Sequence, residues 1–420
     1  MFLAVFIPGF DVMSTAALLQ DGDPDKLARH NARCLSLALA LGGANSTINF
    51  ALDGILGSQL APSRELTTLP ITAFVVGSLA TAIPASLLMA RIGRKPGFLL
   101  GGVIGMTGGL VAAAGVIASS FWLFCLGTFL AGSYLSWTQF FRFAAADTAT
   151  PAFRPKAISW VLAGGLAAAF IGPQIVINAK DALPGLTYVG PYIGSTLVIL
   201  LSMGFIALTR WPKMDTSSRE ATISRPLSEI IRQPRFVVAV AIGMLSYAAM
   251  NLVMTAAPVA MVVQCGYSIT DSTLGIQWHV VAMYAPSFFT GSLIARYGKI
   301  KVMSAGLVLL GLCVVVGYAG YSVAHFWAAL VLLGLGWNLA YVSATALVAD
   351  CHHPAERGKV QGLNDFLVFG LVSLASLASG ILQNYGGWHA VLSALVPMLG
   401  LAVIALVILL TSQRRLARAG

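Results

Sequence analysis

Long apolar runs, separated by short charged or Pro- and Gly-rich stretches, extend over nearly the whole chain. Most runs are about 20 residues long, the length that an α-helix needs to cross the hydrocarbon core of a bilayer. Apolar and polar residues do not alternate, as they would in the strands of a membrane β-barrel. The pattern predicts an all-α membrane protein with twelve transmembrane helices, over residues 34–58, 67–90, 97–118, 122–146, 157–178, 189–209, 236–262, 272–295, 301–321, 326–349, 359–382 and 389–411.

Composition excludes a string of soluble domains. The chain has 420 residues, of which 58% are hydrophobic and 10% are charged, whereas soluble proteins average about 25% charged residues. The five cysteines are an odd number without a CxxC pair, so we expect no disulfide framework. The apolar stretch before Phe10 is too short to span a membrane and has no charged start, which argues against a signal peptide. Translation could begin at Met1 or at Met13.

Basic residues are distributed unequally over the predicted loops. Of the 25 lysines and arginines, only Arg64 and Lys180 fall on one side of the membrane and the remaining 23 fall on the other. Because cytoplasmic loops carry the excess of Lys and Arg, both termini are predicted to be cytoplasmic, in a bacterial plasma (inner) membrane. The net charge of +10 is explained by this topology, and we expect no nucleic-acid partner.

The chain contains an internal repeat. Ala90-Arg91-Ile92-Gly93-Arg94 matches Ala295-Arg296-Tyr297-Gly298-Lys299, 205 residues later, and the loop that begins at Asp147 matches the loop that begins at Asp350. Parallel repeats of this kind are typical of transporters whose binding site lies between the two halves. The predicted segments are a cytoplasmic N-terminus 1–33, a six-helix bundle 34–209, a linker 210–235, a second six-helix bundle 236–411 and a basic tail 412–420.

The residues of the repeat resemble the major facilitator superfamily over nearly the whole chain. The signature loop of that family follows its second helix, and here it reads Ala90-Arg91 and Gly93-Arg94-Lys95, with Ala at the position of the usual Asp. A Gly172-Pro173 pair in the fifth helix is similar to the antiporter motif of the family, but Val176-Ile177 replaces its second Gly pair. The resemblance implies two pseudo-symmetric bundles around a cavity lined by the first, fourth, seventh and tenth helices. Further similarity to an unspecialised bacterial branch implies a link with riboflavin transport.

Polar and aromatic side chains form stripes on those same four helices. Buried polar groups are costly in hydrocarbon, so such residues are candidates for function. Aromatic rings with amide neighbours suit a planar organic solute. The alternative is that these groups only hydrogen-bond one helix to another. The candidate substrate-binding residues are Asn45, Asn49, Tyr134, Trp137, Thr138, Tyr247, Asn251, Trp337, Asn338 and Tyr341.

Two further sets of residues are candidates for coupling and gating. Asp53 and His279 could carry a proton, although a structural cap or an interfacial histidine would explain them as well. Asp365 is predicted to pair with Arg91 when the cytoplasmic side closes, and we expect Asp147 to brace Arg154 and Asp350 to brace Arg357 within their loops. The complete set of candidate gate residues is Arg91, Arg94, Asp147, Arg154, Asp350, Arg357 and Asp365.

No enzyme signature is present in the sequence. There is no P-loop and no nucleophile–base pair, and the run from Asp350 to His353 lacks the spacing of a closed zinc site. We expect no cofactor and no metal. The sequence predicts a secondary transporter that moves a small organic solute by alternating access, with proton coupling, as a monomer in the lipid bilayer. The substrate could be a heterocyclic nutrient such as riboflavin. Efflux of a drug or metabolite is the main alternative, and a non-transporting receptor is a remote one.

Overall fold

The computed structural model describes residues 24–211, 225–353 and 356–419, and the secondary structure of these residues is helical, without a β-strand. Some predicted features lie outside the described residues. They are the segment 1–23 with the alternative start Met13, the linker residues 212–224, and the side chains of Arg357 and of the tail 412–420.

The helices follow one another with short connections. They are α1 Lys26–Gly42, α2 Ala44–Leu60, α3 Leu69–Ile92, α4 Arg94–Ile117, α5 Phe121–Gln139, α6 Phe141–Asp147, α7 Arg154–Ala179, α8 Val189–Leu208, α9 Leu227–Ile230, α10 Pro234–Val259, α11 Ile269–Tyr284, α12 Ser287–Tyr297, α13 Lys299–Ala319, α14 Val323–Ala349 and α15 Arg357–Ala419. A short 3-10 turn, Arg64–Leu66, precedes α3, and a π-helical turn, Ala260–Gln264, follows α10.

The first helix begins earlier than the apolar pattern predicts, at Lys26 and not at residue 34. Charged residues do not end a helix when their side chains find partners. Here the guanidinium groups of Arg29 and Arg33 lie over the rings of Phe153 and Trp160, at 5.5 and 5.7 Å from the ring centroids. These cation–π contacts fix the polar start of α1 against α7.

Two glycines at equivalent positions of the repeat join helices. Gly93 lies between α3 and α4 with φ of 92°, and Gly298 lies between α12 and α13 with φ of 84°. A side chain would be strained in this conformation, so glycine allows one helix to follow another after a single residue. The repeat seen in the sequence is therefore also a repeat of backbone geometry.

The described residues form two packed halves, which we call the N-half (24–211) and the C-half (225–419). Two buried apolar clusters lie almost entirely within the N-half, and one large cluster lies almost entirely within the C-half. A fourth cluster joins the halves and packs Ile71, Phe74 and Val75 of α3 against Val368 and Val372 of α15.

Nine helical segments in the described ranges are long and apolar enough to cross a membrane. The last of these, Lys359–Thr411, is 53 residues long and is interrupted at Gly387, whose φ is 64°. The predicted fourth and eighth spans are each divided into two shorter helices, at Phe140 and at Ala285–Pro286. The multi-pass character of the chain is clear from these segments, while the count of twelve stays a prediction.

Loop charges pair differently from the sequence prediction. Asp147 does not brace Arg154: its Oδ2 pairs with Nη2 of Arg94 at 2.9 Å, and Arg154 donates from Nε to the carbonyl of Ala149 at 3.3 Å. In the C-half, Asp350 pairs with Lys299, the repeat equivalent of Arg94. Arg94 and Lys299 are the first residues of α4 and α13, directly after the glycines that join two helices. The same ion pair therefore occurs at equivalent positions of the two halves.

We call the end of the molecule with these two ion pairs the basic end, and the opposite end, near Arg64–Leu66, the distal end. The described residues of the linker contact the two halves separately at the basic end. Arg210 exchanges two hydrogen bonds with Asn31, at 2.6 and 2.9 Å, and Arg225 forms a bidentate pair with Glu356, with both N–O distances at 2.8 Å.

Candidate functional site

The two halves are joined at the distal end by a set of hydrogen bonds that we call the distal latch. Tyr385 donates to Glu65 at 2.5 Å, and Asn384 donates to the carbonyl of Arg64 at 2.6 Å. One turn deeper, Thr72 donates to the Ser376 hydroxyl at 3.2 Å, and Thr68 donates to the Ser376 carbonyl at 3.3 Å. The latch consists of Arg64, Glu65, Thr68, Thr72, Ser376, Asn384 and Tyr385.

Close backbone contact accompanies these hydrogen bonds. Gly380 of α15 lies against the buried side chain of Thr68, and a methyl group at this glycine would overlap the Thr68 side chain. A second contact, between α7 and α11, includes a hydrogen bond from Gln174 to Gln277 of 3.3 Å. The halves are therefore closed on each other at the distal end.

Aromatic side chains from three helices of the C-half meet near the middle of the molecule. The ring of Tyr247 on α10 lies 5.2 Å from Trp337 and 5.1 Å from Tyr341, both on α14, and 5.5 Å from Phe369 on α15. Trp337 and Tyr341 stack with an interplanar angle of 15°. We call these four residues the central aromatic cluster.

The central aromatic cluster faces the N-half. Tyr247 and Tyr341 are half-buried and pack against the apolar cluster that joins the halves, together with Phe50 of α2. The indole Nε1 of Trp337 is buried and has no hydrogen-bond partner. Tyr247 and Tyr341 therefore offer flat aromatic surface at the boundary between the halves, while Trp337 and its unpaired donor lie buried on the C-half side, an arrangement suited to a planar solute.

Two opposite charges, one from each half, lie beside this cluster. Arg142 on α6 and Asp365 on α15 both interact electrostatically with the hydroxyls of Tyr247 and Tyr341, and with each other. Asp365 is exposed and accepts a hydrogen bond of 3.1 Å from Asn364. Nε of Arg142 is buried without a hydrogen-bond partner, while its guanidinium lies 4.8 Å from the Phe143 ring centroid.

In this conformation Tyr134 and Trp137 lie inside the N-half and not at its boundary with the C-half. The Tyr134 ring is fully buried inside the N-half, with its hydroxyl 3.2 Å from Ser202. Trp137 is 3% exposed. The rings of Tyr134 and Trp137 lie directly against Gly105 and Gly101 of α4. The glycines of α4 leave room for large rings, and α5 therefore turns its aromatic face toward α4 and away from the C-half.

Asn45 and Asn49 also bond within the N-half. Asn45 donates to the Ala131 carbonyl at 3.0 Å and accepts from Ser195 at 2.9 Å, so it links α2, α5 and α8. Asn49 donates to the Asn45 carbonyl at 2.7 Å, and its own carbonyl oxygen is buried without a partner. Thr138 donates to the Leu135 carbonyl of its own helix at 2.8 Å.

The amides of the C-half are used in the same way. Asn338 donates to the Met283 carbonyl and to the Ser287 hydroxyl, each at 2.7 Å, and accepts from Thr290 at 2.6 Å. Asn251 lies 3.5 Å from the Val372 carbonyl. Of the ten candidate substrate residues, the structure thus brings together Tyr247, Trp337 and Tyr341.

The two candidate proton carriers lie apart from the central aromatic cluster. Asp53 is fully buried between α2 and α8, where Oδ1 accepts a hydrogen bond of 2.8 Å from Tyr192 and Oδ2 has no partner. His279 is fully buried in the C-half, with Nδ1 at 2.7 Å from the Leu330 carbonyl and Nε2 without a partner.

The candidate gate pair is separated in this conformation. Arg91 is exposed at the end of α3, and no ion pair between Arg91 and Asp365 is found in the part of the chain that the structure describes. Arg142 shares the polar stripe of the predicted fourth span but was left out of the candidate site residues, since it lies toward the cytoplasmic end of that span. A charged residue next to a helix break is the signal that could have identified it.

Comparison with known proteins places these observations in a family. The model of the Major Facilitator Superfamily matches residues 34–286 and 239–419. The chain is 44% identical over 394 residues to the riboflavin transporter RfnT of Brucella anthropi, covering 93% of this chain and 98% of that protein. It is 27% identical over 425 residues to YdeG of Bacillus subtilis, described as an uncharacterized MFS-type transporter, covering 96% and 97% of the two chains.

Solved structures show the same fold. The crystal structure of the human organic anion transporter MFSD10 (TETRAN) superposes with a TM-score of 0.66 at 16% identity, covering 90% of this chain and 99% of that chain. The nucleoside transporter NupG superposes with the same TM-score of 0.66 at 15% identity and with the same coverage. At these identities the likeness concerns the fold alone.

Proposed function

This chain belongs to the Major Facilitator Superfamily, and we propose that it is a secondary transporter of a planar heterocyclic nutrient of the riboflavin class. Family members of this kind are transporters of small organic solutes and not enzymes. The finer proposal has two supports: 44% identity to a riboflavin transporter over nearly the full length of both chains, and the central aromatic cluster.

The central aromatic cluster is the observation that carries the proposal. The three fused rings of a flavin are flat, apolar on both faces and lined with carbonyl and nitrogen acceptors at one edge. A stacked Trp337–Tyr341 pair offers a flat surface of matching kind, and the free indole Nε1 of Trp337 is a donor for such an edge. Arg142 and Asp365 add a donor and an acceptor on opposite halves.

We propose that the other predicted substrate residues support the site by positioning helices and do not contact the solute. Asn45 and Tyr134 hold helices of the N-half together, Asn49 bonds back to Asn45 on its own helix, and Asn338 fixes α14, which carries two rings of the central aromatic cluster. Interhelical bonds of this kind in membrane proteins average about 0.6 kcal/mol each. Their loss would shift the position of the site without removing a contact to the solute.

The conformation supports alternating access across twelve spans, with the basic end in the cytoplasm. The distal latch closes one end, while Asp365 is exposed beside the central aromatic cluster. In this proposal the site is reached from the cytoplasm, and rocking of the halves opens the distal side. The count of twelve follows when α15 is divided at Gly387, when α1 with α2, α5 with α6, and α11 with α12 each count as one span, and when the four-residue α9 is left out.

We propose that closure of the basic end brings Arg91 of the N-half to Asp365 of the C-half. Both are exposed and free of ion pairs with described residues, so both charges are available for a new contact. The charge-reversal pair Arg91→Asp with Asp365→Arg should restore the transport that either single variant loses. Persistent loss in the double variant would reject this gate.

Coupling to protons is proposed at Asp53, with His279 as the second candidate. A fully buried carboxyl with one oxygen free of hydrogen bonds can take up a proton without breaking a contact. We expect an acid exterior to drive accumulation of solute in vesicles of wild-type protein, and Asp53→Asn to remove the stimulation. If an acid interior drives accumulation instead, the carrier is an antiporter and the efflux alternative applies.

Binding to the purified monomer tests the substrate directly. Riboflavin fluorescence is quenched when the ring system stacks on Tyr or Trp, so a titration in lipid nanodiscs reports both affinity and stacking. We expect saturable quenching, and about 2- to 12-fold weaker binding for Tyr341→Ala, since an aromatic pair contributes about 0.5–1.5 kcal/mol beyond its buried area.

The control is Tyr318→Ala, an equal truncation on α13 at the distal end, where the ring stacks on His389 at 4.8 Å. This variant should bind riboflavin like the wild type. Equal effects of the two truncations would show that the central aromatic cluster is not the site. Absence of saturable binding by the wild type would reject riboflavin as the substrate.

A further inference from the structure

A cavity lies outside the proposed transport site, at the basic end of the N-half. It has a volume of about 640 Å³ and is lined by the end of α3, the first turn of α4, the end of α6 with the loop that follows it, and Trp211. Its polar lining is dominated by the basic side chains of Arg91, Arg94 and Lys95, with one carboxylate, that of Asp147.

The charges of this cavity are not balanced. Arg94 is neutralised by Asp147 through two contacts of 2.9 and 3.0 Å. The ammonium of Lys95 donates to the carbonyls of Ala207 and Thr209, at 2.5 and 3.3 Å, so it is positioned without losing its charge. Arg91 is exposed and has no ion-pair partner among the described residues. Among the residues that the structure describes, two positive charges of this cavity therefore have no counter-ion.

The remaining walls favour an anion that is attached to an apolar body. The first turn of α4, which begins at Arg94, lines the cavity, and helix N-termini favour phosphate oxygens. Met89, Ile92 and Pro96 form an apolar wall. The Trp211 indole donates to the Thr209 hydroxyl at 2.9 Å, which holds the ring at the rim. Tryptophan is enriched at the membrane–water interface, where lipid head groups lie.

We propose that this cavity binds the phosphodiester of an anionic phospholipid, with Arg91 and Lys95 as the phosphate contacts and Trp211 beside the head group. Basic pockets at the cytoplasmic ends of transmembrane helices are suited to such head groups. The repeat equivalent in the C-half is different, because there the guanidinium of Arg296 lies over the Tyr297 ring at 5.2 Å from its centroid. The site is therefore expected in one half only.

Native mass spectrometry and thermal unfolding can test the proposal on the full chain. Protein in phosphatidylcholine is titrated with phosphatidylglycerol, and glycerol phosphate and inorganic phosphate are tested separately as soluble sources of the same chemistry. We expect one tightly bound phosphatidylglycerol and a raised unfolding temperature. Arg91→Gln should weaken this binding about fivefold, the typical effect of one basic side chain at an anionic membrane surface, and Trp211→Leu should also weaken it.

Arg296→Gln is the matched control, since it removes the same charge from the same end of the molecule at the repeat equivalent of Arg91. It should leave the binding of phosphatidylglycerol unchanged. An equal loss in the two arginine variants would mean general attraction to a basic surface, and would overturn the proposal. Equal stabilisation by soluble phosphate and by the lipid would overturn the lipid as the ligand, and so would failure of Arg91→Gln to alter binding.

Discussion

A methyl group added at Gly380 should open the distal end of the molecule. At this position α15 lies against Thr68, the residue before α3, and the new carbon would overlap the Oγ1, Cβ and Cγ2 atoms of Thr68. Thr68 is fully buried and cannot swing away. The overlap exists only while the distal end is closed. The substitution therefore raises the free energy of the closed conformation and leaves that of an opened conformation unchanged.

The size of the effect follows from the cost of overpacking. Extra methylenes in a well-packed contact cost about 1–3 kcal/mol, which changes the ratio of two conformations by about 5- to 150-fold. Replacement of glycine by alanine also stabilises the helix itself by about 1 kcal/mol. That gain applies to both conformations and cancels in their ratio.

Gly370→Ala on the same helix is the control, because nothing lies within 4 Å of a methyl group at that position. Spin labels at Ala182 and Ser322, two exposed loop positions of opposite halves near the distal end, report the separation. We expect a longer distance to appear in Gly380→Ala and not in Gly370→Ala. Identical distance distributions in the two variants would refute the reasoning, and Thr68→Ala should reverse the shift if the overlap causes it.

Two further expectations concern charged contacts outside the membrane-spanning segments. Hydrogen bonds from Ser63 and from Tyr385 lower the pKa of Glu65 from 4.5 to about 2. The ionised form therefore favours the latch above pH 4.5, and this contribution is lost as the pH falls through 2. The distal spin-label distance should not change between pH 5 and 8. The paired guanidinium of Arg225 holds the pKa of Glu356 well below its usual range, so the pair persists at neutral pH. Glu356→Gln should therefore speed hydrogen–deuterium exchange in the segment that begins at Arg225. Asp350→Asn, which breaks a more exposed ion pair, should not, and equal effects of the two substitutions would contradict a specific anchor.

The helices and the repeat could be predicted from the sequence because both depend on local properties. An apolar run of about 20 residues has few alternatives to a helix in lipid. Gly93 and Gly298 have a positive φ that other residues avoid. A glycine at the same position of both loops therefore predicts the same backbone geometry in the two halves. The early start at Lys26 was missed because its support comes from rings on α7, which are distant in the sequence.

The direction in which each helix faces could not be predicted in this way. Asn45, Asn49 and Asp53 do share one face, as their spacing predicts, but that face meets α5 and α8 and not the other half. Periodicity defines a face and leaves the rotation of the helix about its axis open. The missing information lay on a neighbouring helix: the glycines of α4, spaced four apart, receive the rings of Tyr134 and Trp137.

The two halves of a duplicated chain contribute differently to the proposed site. The polar side chains of Asn45 and Asp53 on α2 bond to other helices inside the N-half. The central aromatic cluster of the C-half, in contrast, lies at the boundary between the halves. A solute bound there would contact the C-half through aromatic faces and the N-half mainly through Arg142. Under the proposed rocking of the halves, opening of the distal end would separate Arg142 from those rings, because the charge and the rings belong to different halves. A solute that bridges them would therefore stabilise the conformation with a closed distal end more than one with an open distal end, and such a difference in affinity is what a carrier needs to couple binding to movement.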